Sequence, residues 1–508
     1  MTDTAPVTGR DHGLVDIAII GGGINGAGIA RDAAGRGLKV LLCEKGDFAE
    51  GTSSRSGKLV HGGLRYLEYY EFRLVREALI EREVLLASAP HIIWPLRFVL
   101  PHSPEQRPAW LVRAGLFLYD HLGGRKRLPP SRSLDLSRVP EGKPLRPEFR
   151  RAFEYSDCWV DDARLVILNL VDAARNGARV LPRTRAVRAC REGDGWRLEM
   201  QGEDGGAQVV QARVLVNAAG PWVQDVVQGV AGLNSAHNVR LVKGSHIVVP
   251  KFWSGPHAYL LQNDDRRVIF VNPYEDNLAL IGTTDIPYDG RAEEVAIDDV
   301  ELTYLLQVLR RYFRNAPQDR DIIHAFSGVR PLYDDNSENP SAVTRDYVFE
   351  IDGTPGLPPL LSIFGGKITT YRRLAEHALQ RLGPWFPKMS PAWTAHKPLP
   401  GGDIPGTFDD FAAGLARDYA GLPQTLVYHC ARLYGTRARE LLGSSRSSAD
   451  LGCHFGGDFY EREASYLRET EWARSAADFL ERRTKHGLHL TATQRAVFEA
   501  RVGGQVLN

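Results

Sequence analysis

The chain contains 508 residues, of which 63 are Lys or Arg and 62 are Asp or Glu, so its formal net charge is +1. This length allows roughly two or three domains with large cores, and the balanced charge implies no bulk electrostatic attraction to nucleic acid or to an anionic membrane. Its five cysteines are scattered without a Cys-x-x-Cys pair, which argues against a disulfide framework and fits a reducing compartment. We expect no signal peptide and no spanning helix, because no stretch approaches the roughly 18 apolar residues that a bilayer requires.

The first pattern along the chain alternates apolar runs with a helix-like stretch. An apolar run ends at a glycine-rich turn, a helix-like stretch follows, and a second apolar run ends on an acidic residue; these segments are Ile17–Ile20, Gly21–Gly26, Asn25–Arg36, Lys39–Cys43 and Glu44. A strand, a Gly-x-Gly-x-x-Gly turn, a helix and a second strand within about 30 residues are typical of a βαβ unit that binds a dinucleotide.

Each glycine of this turn has its own physical role. Gly21 permits the tight turn, Gly23 lets backbone N–H groups approach a pyrophosphate, and Gly26 lets the helix pack closely on the strand. Glu44 is placed to accept hydrogen bonds from the hydroxyls of an adenosine ribose, which favours a cofactor without a 2′-phosphate. Because both strands, the helix and the acid are in register, the sequence predicts a dinucleotide site.

The segment from Gly51 to Tyr66 is polar and rich in glycine, where an NAD-binding domain would begin another βα repeat. It has few apolar residues to bury, so we interpret it as a loop that lies along a ligand. The alternative, a plain surface loop, leaves one cluster of residues unexplained. This cluster comprises Ser53, Ser54, Lys58, His61 and Gly62. The segment resembles the flavin-contacting loop of FAD-dependent oxidoreductases of the D-amino-acid-oxidase type. Its Ser-x-Lys-Leu-x-His-Gly-Gly-Leu-Arg-Tyr pattern resembles, more narrowly, the aerobic respiratory FAD-dependent glycerol-3-phosphate dehydrogenases. The resemblance implies FAD as the cofactor and this cluster among its contacts.

Two later segments match the same family. The apolar run Val214–Val216 leads into Asn217-Ala-Ala-Gly-Pro-Trp222, and in the family the corresponding strand end returns to the FAD. The run Leu360–Phe364 is followed by two glycines and a helix-like stretch, a junction that directs free N–H groups and a positive helix end towards an anion. In the family this junction faces the flavin ring. The resemblance therefore implies further cofactor contacts at Ala219, Gly220, Trp222, Gly366, Lys367 and Thr369.

The rest of the chain predicts an α/β fold with three parts. An FAD-binding Rossmann-like domain is interrupted by a β-sheet substrate domain, for which the runs Ser245–Val249, Val268–Val271 and Leu278–Ile281 supply strands. Beyond the proline- and glycine-rich boundary at Lys397–Gly406, helical spacing predicts a C-terminal all-α domain. The predicted boundaries are 1–393 for the oxidoreductase region (FAD-binding segments about 14–85, 150–240 and 326–385; substrate segments about 86–149 and 241–325) and 394–508 for the C-terminal domain.

A flavin enzyme that oxidises a secondary alcohol needs a base for the hydroxyl proton and cations for the substrate anion. His246 follows Lys243-Gly-Ser, and because the matching histidine of the family lies in the substrate pocket, it is the candidate base. Lys367 is the alternative base, or the cation that lowers the pKa of the hydroxyl, and Arg330 completes the catalytic set. Arginines suit phosphate because their planar fork binds two oxygens. The predicted substrate contacts are Arg65, Tyr66, Arg330, Arg345 and Lys367.

No metal is expected in this chemistry. Asp157, Asp161 and Asp162 are interpreted as structural residues. Asp285, in Gly282-Thr-Thr-Asp285, matches a family signature, and the alternative interpretation is that it only orders its loop.

The resemblance implies oxidation of sn-glycerol 3-phosphate to dihydroxyacetone phosphate, with hydride transfer to FAD and electrons passed to a respiratory quinone. It also implies a cytoplasmic protein attached peripherally to the inner face of the membrane, with no nucleic-acid partner and a homodimer left open. The nearest alternative is a glycerophosphate oxidase that reduces dioxygen. More distant alternatives are an amino-acid oxidase of the same fold and a non-enzymatic assembly protein stabilised by FAD, neither of which needs so many cation tracts.

Interrupted apolar pieces with arginines and prolines extend from Pro90 to Pro130. One interpretation is a buried core with a basic loop. The other is a surface that enters the lipid interface through Trp94, Trp110 and Phe117 and is anchored by the cluster Arg125-Lys-Arg127.

Overall fold

A computed structural model of the chain describes residues 9–124, 126–265, 267–334, 346–354 and 356–505. The predicted substrate contact Arg345 and the basic residue Arg125 lie outside the described residues. The strands are β1 Arg10–Ile20, β2 Val40–Cys43, β3 Leu59–Val60, β4 Ile93–His102, β5 Arg132–Asp135, β6 Arg151–Val160, β7 Arg179–Leu181, β8 Thr184–Glu192, β9 Gly195–Gly202, β10 Ala207–Asn217, β11 Val239–Pro250, β12 Ala258–Gln262, β13 Val268–Tyr274, β14 Leu278–Gly282, β15 Ile286–Pro287, β16 His324–Tyr333, β17 Tyr347–Asp352, β18 Leu360–Gly365, β19 His454–Gly456 and β20 Phe459–Tyr460.

Helices alternate with these strands and then predominate after β18. They are α1 Ile24–Gly35, α2 Phe72–Ser88, α3 Ala109–Leu122, α4 Asp162–Arg175, α5 Val223–Asp225, α6 Asp299–Tyr312, α7 Tyr371–Leu382, α8 Phe408–Asp418, α9 Gln424–Tyr434, α10 Ala438–Leu442, α11 Glu461–Glu471 and α12 Ala492–Gln505. Among the helices described, none has both the length and the apolar content needed to cross a bilayer.

The first sheet has β1 at its centre. Its strand order is β17-β18-β10-β1-β2-β7, with the β8-β9 hairpin extending from β10. β1 runs parallel to both β2 and β10, and apolar residues of α1, α4 and α7 share one core with it, among them Ile29, Val166 and Leu374. Parallel strands covered by helices are the architecture of Rossmann-like folds. The predicted Rossmann-like domain is therefore confirmed.

The second sheet is mostly antiparallel and supplies the predicted inserted β-sheet. Its strand order is β15-β11-β14-β13-β12-β4-β6-β3, while β16 pairs with β11 and β5 with β6. Ile247 packs with Leu305 of α6, whereas the adjacent Val248 lies in the cluster that contains Leu79 of α2 and Leu116 of α3. Successive residues of β11 thus face opposite sides of the sheet.

The second sheet draws strands from segments that the sequence assigns to the FAD-binding part. β3 lies within the predicted FAD-binding segment 14–85, β6 within 150–240, and most of β16 within 326–385. In the structure, however, β3 pairs with β6, β6 with β4, and β16 with β11, all in the second sheet. The chain therefore passes between the two sheets more often than the predicted boundaries imply. Sequence proximity did not reveal this, because antiparallel pairing joins strands that are far apart along the chain. The domain boundaries themselves stay a prediction.

The C-terminal part is helical, as predicted. Its helices share a core of their own, to which Leu415, Cys430, Leu467 and Phe498 belong. The hairpin formed by β19 and β20 is an addition that the all-α prediction lacked.

The segment between Pro90 and Pro130 contains both a buried strand and an exposed helix. β4 is largely buried, which agrees with the interpretation as core, whereas Trp110 and Phe117 on α3 are 71% and 58% exposed. Trp94 is half-buried and stacks on Trp159 at 5.9 Å between ring centroids, with Arg432 above it. Trp110 and Phe117 are therefore the exposed members of the predicted lipid-facing set.

Candidate active site

The glycine-rich turn lies between the end of β1 and the start of α1. Gly21 has φ +115°, a left-handed conformation that favours glycine, and a Cβ at this position would come 2.5 Å from the carbonyl oxygen of Ala218. A Cβ at Gly26 would come 2.0 Å from the carbonyl oxygen of Gly21. A Cβ at Gly23 would come 3.1 Å from the Ser53 hydroxyl, which is a tight contact. The turn therefore carries glycine where a side chain would be crowded, and its bare backbone N–H groups suit the close approach of a pyrophosphate.

Glu44 lies beside this turn at the end of β2. Its Oε2 accepts a hydrogen bond from Gly22 N at 2.7 Å, and its Oε1 accepts one from Gly46 N at 2.9 Å. Burial raises the pKa of Glu44, although both N–H donors and the charge of Lys45 oppose that effect. Each carboxylate oxygen has a second lone pair, so the side chain can still accept a ribose hydroxyl.

The end of β10 returns to the same turn. Ala218 N donates to the carbonyl oxygen of Ile20 at 2.9 Å, and Gly220 has φ +57°. Trp222 lies over Gly51, and the ammonium of Lys45 is 3.7 Å from the centroid of its ring. The predicted contacts Ala219, Gly220 and Trp222 therefore follow a strand end that touches the turn.

Asn25 is a residue that the sequence did not single out. Its Nδ2 donates to the carbonyl oxygen of Gly365 at 3.3 Å, while its Oδ1 is buried without a hydrogen-bond partner in the described part of the chain. A Cβ at Gly366 would come 3.1 Å from this side-chain amide. A buried acceptor beside a glycine that cannot carry a side chain fits a bound group with hydrogen-bond donors. The only sequence signal was a polar residue in the otherwise apolar first two turns of α1.

The loop 51–66 contacts both the glycine-rich turn and the junction after β18. Ile24 N donates to the Ser53 hydroxyl at 3.0 Å, and His61 N donates to the Thr369 hydroxyl at 3.2 Å. Lys58 has a different partner from the predicted cofactor, because its buried ammonium donates to Asp162 at 2.8 Å and to the carbonyl oxygen of Ser54 at 3.1 Å.

Gly62 is likewise turned towards the protein interior. Its N–H donates to Asp157 at 3.3 Å, and a Cβ there would come 2.4 Å from Leu79. Lys58 and Gly62 thus have hydrogen-bond partners within the protein. The cofactor contacts predicted for Ser54, Lys58 and Gly62 stay predictions.

A cavity of about 330 Å³ lies between the loop, the second sheet and the junction after β18. It is lined by predicted residues of all three classes, namely Ser53, His61, Arg65, Tyr66, His246, Arg330, Gly366, Lys367 and Thr369. It is also lined by residues that the sequence analysis did not single out, among them Leu100, Tyr155, Leu260, Gln262 and Phe270. The latter come from strands of the second sheet and become neighbours only through its strand order.

His246 is held between two neighbouring strands. It is opposite Phe326 of β16, on which its ring stacks at 5.0 Å, and opposite Gly282 of β14, where a Cβ would come 2.2 Å from the imidazole. Its Nδ1 is buried without a hydrogen-bond partner among the described residues. Burial, together with the charges of Arg330 and Lys58, lowers the pKa of His246 to about 3, so the ring is neutral at physiological pH.

The cationic side chains lie around the same cavity. Arg330 forms an ion pair with Asp285 and donates to the Thr283 hydroxyl at 3.2 Å. The ammonium of Lys367 is 3.7 Å from the centroid of the Tyr66 ring. Arg65 is half-buried, and its guanidinium has no hydrogen bond or ion pair within the described residues. Asp285 therefore holds the side chain of Arg330 in place. This is an ordering role, as in the alternative interpretation, but it acts on a cavity residue and not only on the loop of Asp285.

The acidic residues interpreted as structural are all engaged in ion pairs or helix caps. Asp157 pairs with Arg82, Asp162 pairs with Lys58, and Asp161 caps α4 by accepting from Arg164 N. In the part of the chain that the structure describes, one group of possible metal ligands converges, formed by His429, Glu463 and His486. Each of its two imidazoles is hydrogen-bonded to Glu463. The expected absence of a metal stays a prediction.

Comparison with known families places this site in a class. Residues 16–372 match the family model described as FAD dependent oxidoreductase, and residues 392–501 match the C-terminal domain of alpha-glycerophosphate oxidase. The chain belongs to the FAD-dependent oxidoreductases, and FAD is its cofactor. The resemblance, the fold class and the cofactor predicted from the sequence are thereby confirmed.

Full-length relatives narrow the class. The chain is 62% identical over 485 residues to the D-erythritol 1-phosphate dehydrogenase of Brucella abortus (95% of this chain, 96% of the relative). It is 56% identical over 482 residues to the glycerol-3-phosphate dehydrogenase of Pseudomonas aeruginosa (95% of this chain, 94% of the relative). Among solved structures, the glycerol-3-phosphate dehydrogenase of Bacillus halodurans complexed with FAD is similar with a TM-score of 0.74 at 25% identity, covering 97% of this chain and 94% of that one.

Proposed function

We propose that this chain oxidises the secondary hydroxyl of a polyol phosphate, with sn-glycerol 3-phosphate as the first candidate substrate and dihydroxyacetone phosphate as its product. The observation that carries the proposal is a single cavity lined by a neutral imidazole and several cations. Two dehydrogenases of polyol phosphates, aligned over 95% of the chain, support it. FAD, when bound, supplies the two-electron acceptor for the hydride.

The cations of the cavity bind the phosphate in this proposal. Arg65 has its full set of donors available, while Arg330 is held in place by Asp285 and Thr283 and retains further N–H groups for the phosphate oxygens. Lys367 adds a point charge beside Tyr66. The carboxylate of Asp285 repels an incoming phosphate dianion and competes with it for Arg330. A substrate therefore binds here only if its bonds to Arg330 are stronger than those of Asp285.

His246 accepts the proton of the reacting hydroxyl in this proposal. A pKa of about 3 keeps the imidazole unprotonated and able to accept, but it also makes the ring a weak base in the free protein. A bound phosphate dianion opposes the charge of Arg330, which is one of the causes of that low pKa, and therefore raises the basicity of the ring. Lys367 is the alternative proton acceptor.

D-Erythritol 1-phosphate is a second candidate substrate, favoured by the 62% identical relative. Both substrates present a phosphate and a secondary hydroxyl, but the erythritol derivative is one carbon longer. The test is a comparison of kcat/KM for the two compounds with purified protein and a quinone analogue as acceptor. A ratio above about tenfold in either direction assigns the substrate, and failure of both compounds to reduce the flavin contradicts the proposal.

A quinone is the proposed final acceptor, with dioxygen as the alternative. Turnover with a water-soluble quinone analogue, measured beside peroxide release in air, distinguishes a dehydrogenase from an oxidase. If peroxide forms at the rate of substrate oxidation, dioxygen and not a quinone is the acceptor.

Peripheral membrane attachment belongs to the same proposal. Helix α3 presents Trp110, Leu111, Phe117 and Leu118 at least partly to solvent, and the basic residues Lys126 and Arg127 follow it closely. An exposed apolar helical face beside cations is typical of attachment to an anionic lipid surface. Cosedimentation with anionic vesicles tests this, and the paired substitution Trp110→Ser with Phe117→Ser is expected to abolish it while leaving FAD bound. Release of all protein by high salt would contradict insertion of the apolar face.

A further inference from the structure

The C-terminal part is joined to the FAD-binding part by buried ion pairs. The segment between α11 and α12 supplies Arg482 and Arg483, whose guanidinium groups both bind the carboxylate of Asp47. Arg482 Nε is 2.5 Å from Asp47 Oδ2, and Arg483 reaches both carboxylate oxygens at 2.8 Å. Asp47 is 2% exposed and Arg483 is fully buried. We call these residues, Asp47, Arg482 and Arg483, the latch.

The latch holds a loop whose other side forms the dinucleotide turn. Asp47 lies directly after Glu44-Lys-Gly46, and Ala49 N donates to the carbonyl oxygen of Gly22 at 3.2 Å. Between them, Phe48 packs under the turn, since a Cβ at Gly22 would come 2.6 Å from its ring. The same ring contacts Trp472 of the C-terminal part at 5.4 Å between centroids.

One donor of the latch, Arg482, is also held by a carboxylate of the C-terminal part. Asp478 binds Arg482 at 2.7 Å and Arg183, which precedes β8, at 2.8 Å. Although burial opposes ionisation, hydrogen bonds from Ser475 and Arg474 N and the charge of Arg183 lower the pKa of Asp478 to about 2. Asp478 therefore orients Arg482 and offsets part of its charge.

We propose that the C-terminal part retains FAD through this latch, by fixing loop 44–50 in the conformation in which Glu44 and the backbone around Gly22 meet the adenosine end of the cofactor. Without the two arginines, the buried carboxylate of Asp47 would keep only Arg183, at 3.9 Å, as a cationic neighbour. A buried carboxylate that loses its hydrogen-bonded partners drives its segment towards solvent. Docking of the C-terminal part and binding of FAD then stabilise the same loop conformation from opposite sides. Two events that stabilise one conformation strengthen each other, and the effect is reciprocal.

The chain contains a matched reference for this latch. Lys485 binds both carboxylate oxygens of Asp161, and it is also buried and also joins the C-terminal part to the FAD-binding part. Asp161 caps α4, and among the described residues no hydrogen bond or ion pair joins its side chain to loop 44–50. Loss of this pair weakens docking of the same segment without freeing the loop directly.

The experiment measures FAD release from the purified holoprotein, by the rise of flavin fluorescence after dilution. Arg483→Gln is expected to release FAD about tenfold faster than wild type or more, within the usual range of coupling between sites. Arg483→Lys recovers part of that loss, because it keeps the charge without the fork. Lys485→Met is expected to lower the thermal midpoint while its release rate stays within about twofold of wild type.

Hydrogen exchange of the wild-type protein provides a second measurement that does not depend on the folding of a variant. Amides of residues 478–485 are expected to exchange more slowly in the holoprotein than after removal of FAD. Equal exchange in the two states overturns the proposal. So does an Arg483→Gln release rate within about twofold of wild type, or an equal acceleration in Lys485→Met, which would make the effect one of general stability.

Discussion

The dinucleotide turn and the cavity beside His246 are two parts of one site, but they are assembled differently. The turn is built from contiguous chain, in which Gly21, Gly26 and Glu44 meet through one strand–helix–strand unit. The cavity combines residues of the loop, of β11, of β16 and of the junction after β18. Its geometry depends on the register of antiparallel strands, in which His246 stands opposite both Phe326 and Gly282.

This difference teaches which substitutions act locally and which act through the fold. A residue of the turn has a role that local sterics determine, so its replacement damages the cofactor site at once. A residue of the cavity has a role that its cross-strand neighbours determine, so its replacement changes chemistry or affinity while the fold persists.

The largest expected effect is at Gly26. Gly26→Val places a side chain 2.0 Å from the carbonyl oxygen of Gly21, so the turn must open and the FAD site is lost. We expect less than about a tenth of the wild-type flavin per protein, measured by absorbance after purification. The control is Gly115→Ala on α3, where a Cβ has nothing within 4 Å and flavin content stays at the wild-type level. Normal flavin content in Gly26→Val would mean that this contact does not constrain the turn.

His246 comes next, because it tests the assembled part of the site. His246→Ala removes the proposed proton acceptor, and loss of a general base lowers rates by roughly 100- to 10,000-fold. Rapid-mixing flavin reduction at saturating substrate measures this step, and phosphate affinity should change little. The exposed His454 on β19 provides a control for histidine removal. An unchanged reduction rate would move the base to Lys367.

Much of the fold and part of this site could be predicted from the sequence. The glycine turn, Glu44 and the strand before Asn217 were predictable because their partners are close in sequence or follow a family pattern. The cavity residues Tyr155 and Gln262 were not, since nothing in the local sequence reveals which strands become neighbours in an antiparallel sheet.

Lys58 shows the converse limit of sequence interpretation. Its place in a polar, glycine-rich loop predicts a cofactor contact, which stays a prediction. Nothing in the sequence indicates the ion pair between its ammonium and Asp162 at the start of α4. An acidic residue far away in the chain can form an ion pair with a lysine, and the sequence around the lysine does not reveal it. The latch at Asp47 was invisible for the same reason, because its arginines lie at 482 and 483.

Arg330 is expected to have a smaller effect, on affinity. Each charge-assisted contact contributes about 1.5–3 kcal/mol, so Arg330→Ala should weaken substrate binding roughly tenfold to a hundredfold. Arg330→Lys should recover only part of this, because an ammonium lacks the planar fork. Substrate titrations of flavin reduction measure the change, with Arg310→Ala as an exposed control. Wild-type saturation of Arg330→Ala would make this arginine a structural partner of Asp285 only.

The smallest expected effect concerns stability and pH, where the two parts of the site respond in opposite directions. Burial, with the charges of Arg330 and Lys58, lowers the pKa of His246 to about 3, against an unfolded value near 6.5. Between these values the unfolded chain binds a proton that the folded protein excludes. The free energy of unfolding therefore falls as the pH falls below about 6.5, by about 1.4 kcal/mol per pH unit, or about 2 kcal/mol at pH 5.

Burial raises the pKa of Glu44, so in its titration window the folded protein binds the extra proton and acidification stabilises it. Thermal midpoints of the deflavinated protein from pH 7 down to about 4.5, the ordinary pKa of a glutamate, separate the two groups. His246→Leu should lose less stability than wild type on acidification, because its proton-excluding ring is gone, whereas Glu44→Gln should lose more, because the compensating carboxyl is gone. If the thermal midpoint falls equally with pH in wild type and both variants, neither group has a different pKa in the folded and unfolded chains. The turn and the cavity would then differ in geometry alone.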